Sequence, residues 1–183
     1  MNHSEIIKSK IYTCESVKHL LERMHYFKRK VVFTNGCFDI LHLGHVDYLA
    51  KAADRGDFFI VGLNSDASVK LLNKGANRPL QDENSRAMVI AALGFVDVVI
   101  LFDEKDPAKL IEFARPDVLV KGADYDANEK DVKNKKYIIG SDIVRKSGGE
   151  VVTIEFVEGY STSAIEKKIL SYRQNSPINP SLK

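Results

Sequence analysis

The stretch TNGCFDILHLGH, residues 34–45, decides how the chain is read. It follows the apolar run Val31-Val32-Phe33 and leads into a helical pattern, so it lies where a buried strand turns into a helix. Open α/β sheets bind their ligands at such junctions. The stretch holds Gly36 and Gly44, the carboxylate of Asp39, and two histidines, His42 and His45, spaced to share one face of a helical turn. Core packing gives little reason to gather those residue types in one place.

Working outward, short β-rich apolar runs alternate with helical patterns. Strands are expected at 31–33, 58–63, 96–101, 118–120 and 151–154, and helices at 44–53, 84–93, 107–114, 136–146 and 161–170. The alternation predicts a Rossmann-like α/β fold, a doubly wound parallel sheet of five strands with helices on both faces. Residues 1–29 read as a leader with one amphipathic helix, capped by Thr13 and carrying Val17, Leu20, Leu21 and Met24 at helical spacing. Residues 30–170 form the predicted domain and 171–183 a flexible tail, rich in Asn, Pro and Ser. Three polar connections, 64–84, 121–135 and 156–160, follow strands and therefore face the ligand crevice.

Composition narrows the function classes. A chain of 183 residues with 44% apolar and 28% charged residues can bury a sizeable core. A net charge of +2 is too small to argue for a nucleic-acid or membrane surface, and a small anionic ligand fits better. No apolar run approaches the ~20 residues of a membrane span, and the first residues lack the form of a signal peptide. The two cysteines, Cys14 and Cys37, have neither metal-ligand spacing nor disulfide density, which points to a reduced cytoplasmic setting.

Backbone N–H groups of the first loop and the helix that follows can hold a phosphate. Neither G-x-G-x-x-G nor G-x-x-x-x-G-K-[ST] occurs, so hydride transfer and Walker-type phosphoryl transfer fall away. His42 and His45 can donate hydrogen bonds to phosphate oxygens, with positive charge if bound phosphates raise their pKa. A zinc site would need a third ligand beside them, from Asp39 or Asp47. Lys121, at the carboxyl end of the fourth expected strand, points toward the crevice, whereas Lys74 and Arg78 lie in the long loop after the second. Arg86 begins a helix and either faces phosphates or is solvated at the surface.

The complete spacing G-x-F-D-x-x-H-x-G-H, at Gly36, Phe38, Asp39, His42, Gly44 and His45, resembles the nucleotidyltransferase superfamily that joins a nucleoside monophosphate to a phosphorylated small molecule and releases pyrophosphate. A second signature of that superfamily is matched by EGYSTSAI, residues 158–165. The segments VVFTNGCFDILHLGHVDYL, VGLNSDASV, RPLQDENSR, FVDVVILFDE, RPDVLVKGADY and GGEVVTIEFVEGYSTSAI are most similar to the adenylyltransferases that activate heptose 1-phosphate for lipopolysaccharide. Many of those carry a fused sugar kinase, and this chain resembles the stand-alone form.

The resemblance implies transfer of AMP from ATP to D-glycero-D-manno-heptose 1-phosphate, giving ADP-heptose and pyrophosphate. It implies Mg2+ carried in by ATP rather than by a protein metal site, and a homodimer. His42, His45 and Lys121 would stabilise the transition state. Thr34, Asn35, Gly36, Cys37 and Phe38, through backbone groups, with Gly44, Arg86, Ser161, Thr162 and Ser163, would hold the nucleotide. Asp39, Lys74 and Arg78 would hold the acceptor. A cytidylyltransferase acting on a polyol or alcohol phosphate, and a non-catalytic nucleotide sensor, remain as alternatives. Where many relatives have Gly-Gly-Asp-Tyr this chain has Gly122-Ala123-Asp124-Tyr125, so a methyl group stands where a left-handed turn would favour glycine.

Overall fold

The computed structural model describes residues 1–72 and 78–175, with side chains described as far as Tyr172 at the C-terminal end. In chain order the elements are α1 (His3–Lys8), β1 (Ile11–Tyr12), α2 (Cys14–Tyr26), β2 (Val31–Gly36), α3 (Leu43–Ala53), β3 (Phe58–Asn64) and α4 (Asp66–Leu71). They continue as α5 (Glu83–Ala91), β4 (Val98–Phe102), α6 (Ala108–Ala114), β5 (Val118–Gly122), α7 (Ser141–Lys146), β6 (Glu150–Ile154) and α8 (Thr162–Asn175). Among the described residues no helix is long and apolar enough to cross a membrane.

The strands form one parallel sheet in the order β1-β4-β3-β2-β5-β6. Strands β2, β3 and β4 build the sheet in one direction, and β5 and β6 are added on the other side of β2. The direction of winding therefore reverses between β2 and β5, where the helices that follow them, α3 and α7, leave for opposite faces and a crevice opens at the carboxyl ends. Gly36 and Gly122 end the two strands that flank it.

Alternate residues of the central strands serve two cores, as the two-residue strand period requires. Val32, Phe59, Val61, Leu63, Val99 and Val120 pack with Tyr48, Leu49 and Ala52 of α3 and with Ala87, Ile90 and Ala91 of α5. Val31, Phe33, Ile60, Val98, Ile100 and Leu119 pack with Val17 and Leu21 of α2, Leu110 and Ile111 of α6 and Val144 of α7. Both faces are covered, which is why the strands read as continuous apolar runs.

The fold class is the one expected, with a sixth strand in place of five. The added β1 is two residues long and lies in the leader, too short for an apolar-run criterion, and it pairs Ile11 with Val99 and Tyr12 with Ile100. Helix α2 begins as expected: the Thr13 side chain accepts from the Ser16 N–H, and the Ser16 hydroxyl oxygen accepts from the Thr13 N–H. The helix expected over 136–146 shrinks to α7, because Gly140 turns the chain at φ 84° just before it. A side chain there would lie 2.5 Å from Ile111 Cδ1. The connection 64–84 contains a helix, α4, capped by the Ser65 side chain. Helix α8 runs on to Asn175, five positions past its expected end, since no helix breaker stands before Pro177. The remainder of the expected tail, 176–183, lies outside the described residues.

Candidate active site

At the carboxyl end of β2 the chain passes through Asn35, Gly36 and Cys37 and turns at Phe38, whose φ of 44° lies in the left-handed region. A side chain on Gly36 would come within 3.0 Å of the Phe38 ring, so glycine lets that ring fold back over the strand end. His42 then opens α3 from an extended conformation, and its carbonyl accepts from the N–H groups of His45 and Val46. The His42 side chain makes no capping bond. It stacks on His45 instead, with centroids 3.9 Å apart and planes at 20°, and Phe38 meets His45 edge-on at 5.3 Å. A side chain on Gly44 would lie 3.1 Å from His42 Cε1 and 3.4 Å from Tyr160 Cβ, so Gly44 makes room for the histidine rather than facing the crevice itself.

The Nδ1 atoms of both histidines are buried without a hydrogen-bond partner. Burial pushes His42 below its ordinary value, and burial together with the neighbouring His42 pushes His45 down to about 4, against a smaller opposing effect of the Ile40 backbone. Two stacked, half-desolvated imidazoles are therefore neutral at pH 7 until a polyanion arrives. Each neutral imidazole carries one N–H that a phosphate oxygen can accept.

A stability consequence follows from His45. In the unfolded chain it titrates near 6.5, and in the fold near 4. Between those values the unfolded state binds a proton that the native state refuses, so the contribution is complete above pH 6.5 and declines as pH falls toward 4. Thermal melts from pH 7.5 to 4 should show a steeper loss for the wild type than for His45→Gln. Equal slopes would mean that the imidazole is not held neutral. Burial alone would raise the Asp39 carboxyl, but donation from Leu80 N–H, Arg78 and Gln81 N–H outweighs it and holds Asp39 below its usual range. Asp39 is lost at lower pH than this window.

Lys121 reaches across the switch point from β5. Its Nζ donates to Asn35 Oδ1 at 2.6 Å and to the Asn35 carbonyl at 3.3 Å, and lies 5.6 Å from the centroid of the Tyr125 ring. Opposite it, Asp39 is a fixed platform: its carboxylate accepts from Arg78 Nη1 at 2.6 Å and from the N–H groups of Leu80 and Gln81. Arg78 is thereby turned inward.

On the far side, the Ser161 hydroxyl oxygen accepts from Ala164 N–H and caps α8, while Thr162 and Ser163 line the crevice. Capping and facing the crevice are not alternatives here, because the same turn does both. The crevice has a volume of about 710 Å³ and takes in Asn35, Gly36, Cys37, Phe38, Asp39, His45, Arg78, Lys121, Thr162 and Ser163.

The side chains of Thr34 and Arg86 stand elsewhere. Thr34 is fully buried, and its Oγ1 donates to the Tyr48 hydroxyl at 2.7 Å, which in turn donates to the Val120 carbonyl. It braces α3 against β2 and β5. Arg86 neither faces the crevice nor lies at the surface. It is 1% exposed, and its guanidinium donates to the carbonyls of Gln81, Cys37 and Asn64 and to Asp66 Oδ1 at 2.6 Å. Four of its five N–H groups are engaged, and burial closes the fifth to a ligand. Lys74 lies outside the described residues. Among those described, no group of three or more His, Cys, Asp or Glu converges as a metal site, and Asp47 is paired with Lys51 at 2.7 Å. Ala123 causes no strain, since outside glycine only Lys28, Phe38 and Arg115 take positive φ among the described residues.

Asn64, the last residue of β3, and Phe156, after β6, line the crevice and fall in the connections 64–84 and 156–160 without having been named as site residues, whereas Asp106 and Pro107, after β4, belong to a crevice segment that the sequence did not mark. The available signal was position at strand carboxyl ends. The turn after β4 was too short to single out. Phe156 is close enough to Gly122 that a side chain there would strike its ring, so β5 ends in glycine to admit an aromatic wall.

Comparison with known proteins places this geometry. A family model described as cytidylyltransferase-like matches residues 33–168, which include both histidines, Lys121 and the α8 turn. The chain belongs to the cytidylyltransferase-like family. Its domain is therefore of the nucleotidyltransferase type, as the spacing of residues 36–45 implied. Similar proteins include the bifunctional protein HldE of Campylobacter curvus, 54% identical over 160 residues, covering 87% of this chain and 31% of that protein. HldE of Citrifermentans bemidjiense is 50% identical over 163 residues, covering 89% and 32%. The chain thus spans about a third of the length of these relatives. Among solved structures, a lipopolysaccharide core biosynthesis protein of Thermoplasma volcanium matches with a TM-score of 0.54 and 31% identity, over 73% of this chain and 99% of that one. Pantoate-beta-alanine ligase of Francisella tularensis, at 14% identity and a TM-score of 0.59, over 91% of this chain and 79% of that one, shares the fold.

Proposed function

We propose that the protein transfers AMP from ATP to a heptose 1-phosphate, forming ADP-heptose and pyrophosphate. The observation that carries the reading is the convergence of His45, Lys121 and the α8 turn on one crevice at the switch point, with Arg78 on its wall. Support for the sugar comes from the six matching segments, the HldE relatives and the lipopolysaccharide core protein among solved structures.

In this mechanism an oxygen of the acceptor phosphate attacks the α-phosphorus of ATP in line, and the bond to the β-phosphate oxygen breaks. The electron pair leaves with pyrophosphate. No protein nucleophile is needed, because the acceptor is already an anion. His45 and His42 donate to triphosphate oxygens, Lys121 offsets the charge that builds at the α-phosphate, and the N–H groups opening α8 with Thr162 and Ser163 hold the phosphate chain. Arg78 takes the acceptor phosphate. The crevice offers scattered carboxylates rather than a cage, which suits a Mg2+ that keeps phosphate and water ligands. When bound, that ion neutralises charge on the leaving pyrophosphate.

The test is pyrophosphate release with each of the four nucleoside triphosphates and heptose 1-phosphate. Release with ATP is expected. Release only from CTP with a polyol phosphate would replace the substrates and keep the chemistry, whereas nucleotide binding without turnover in any pair would make the protein a sensor.

A further inference from the structure

Helix α8 carries Thr162 and Ser163 on the crevice, yet none of its described side chains, from Thr162 to Tyr172, is buried. Hydrophobic packing therefore does little to hold it. Among the described residues, an ion pair one turn along ties it to the body of the domain: Arg78 Nη2 meets Glu166 Oε1 at 2.5 Å. The same guanidinium gives Nη1 to Asp39, whose side chain is 7% exposed and fixed by two backbone N–H groups. One half of the bridge is rigid and desolvated, and the other, at a Glu166 side chain 36% exposed, is soft.

Arg78 also lines the crevice, so an anion entering there meets a guanidinium with a carboxylate already on each amino group. Asp39 cannot leave without stranding the Leu80 and Gln81 N–H groups as well. Glu166 can rotate into water at little cost. A phosphate monoester, with greater charge and three acceptor oxygens, outcompetes a single carboxylate for a guanidinium.

Building on the proposed function, we infer that Glu166 is a positioning residue, a latch that holds the α8 turn over the crevice through Arg78 and surrenders Arg78 to the phosphate of the acceptor. Nucleotide and acceptor are thereby coupled. The latch holds the turn in place for the nucleotide before the acceptor arrives, and once the acceptor takes the arginine the turn is held by the nucleotide phosphates it grips. The two effects of removing the charge have opposite signs, which a merely structural residue would not produce.

Glu166→Gln tests this by two routes. In ligand-free protein, hydrogen exchange of the backbone amides of α8 should accelerate, with β2 and β3 amides unchanged as the internal control. In steady-state kinetics with ATP and heptose 1-phosphate, KM for ATP should rise and KM for the sugar phosphate should fall, each about two- to fivefold, the range expected of a partly exposed ion pair. Unaltered α8 exchange overturns the latch, and a raised sugar-phosphate KM overturns the competition for Arg78. A wild type that turns over no substrate pair would defeat the functional reading alone, since exchange still decides whether Glu166 holds α8.

Discussion

His45→Ala is expected to lower turnover by about 10²- to 10³-fold, the effect of removing one preorganised donor from charge that develops in a transition state. The structure gives reasons to assign the loss to chemistry. The His45 ring lines the crevice, and burial with the neighbouring His42 keeps it neutral in the ligand-free protein. Its ring contacts are a stack on His42 and an edge contact with Phe38, at the mouth of α3 and the rim of one core, and His45 itself belongs to neither core. The variant should therefore keep its circular dichroism spectrum and a cooperative melt while kcat for pyrophosphate release collapses. A variant that loses its fold would make His45 a packing residue, and one that turns over normally would remove it from the mechanism.

Arg86→Ala should cost about 3–5 kcal/mol of unfolding free energy, since truncating one partner of a buried, hydrogen-bonded charge strands the others. The guanidinium is almost wholly enclosed and serves Gln81, Cys37, Asn64 and Asp66 at once. It joins the ends of β2 and β3 to the start of α4 and to the turn before α5. That loss is a large part of the 5–15 kcal/mol typical of a domain. Urea unfolding would show it as a lowered midpoint at constant slope. Arg86→Lys should recover little, because a single ammonium cannot span four acceptors in a planar fork. Asp66→Asn should cost less than Arg86→Ala, as Asp66 keeps contact with solvent. A loss below about 1 kcal/mol for Arg86→Ala would mean the four bonds are replaced by water.

Much of the fold was legible because its signals are local. Val31-Val32-Phe33 and the other apolar runs mark strands buried on both faces, and Thr13 ahead of Val17, Leu20 and Leu21 marks a helix start. The outcome for Arg86 was not legible in the same way. Its position at the head of α5 suits a phosphate ligand as well as a buried clamp, and the choice depends on carbonyls delivered by three other segments. Thr34 is similar. Its place in the first motif implied backbone groups at the nucleotide site and left the side chain unassigned, which strand alternation turns toward Tyr48 of α3. The brief β1 escaped because two residues carry no period, and only pairing with β4 makes them a strand.

By itself the sequence determined the alternation of strands and helices, the loop carrying His42 and His45 at the first strand-to-helix turn, and the second turn at Ser161, Thr162 and Ser163. Each is written in residues a few positions apart, where steric preference and side-chain period act directly. Tertiary structure alone decided that the histidines stack and stay neutral, that Lys121 meets Asn35 across the switch point, and that Arg78 is shared between Asp39 and Glu166. Those choices turn on burial and on charges brought together from distant segments, and neither quantity exists until the sheet has closed beneath them.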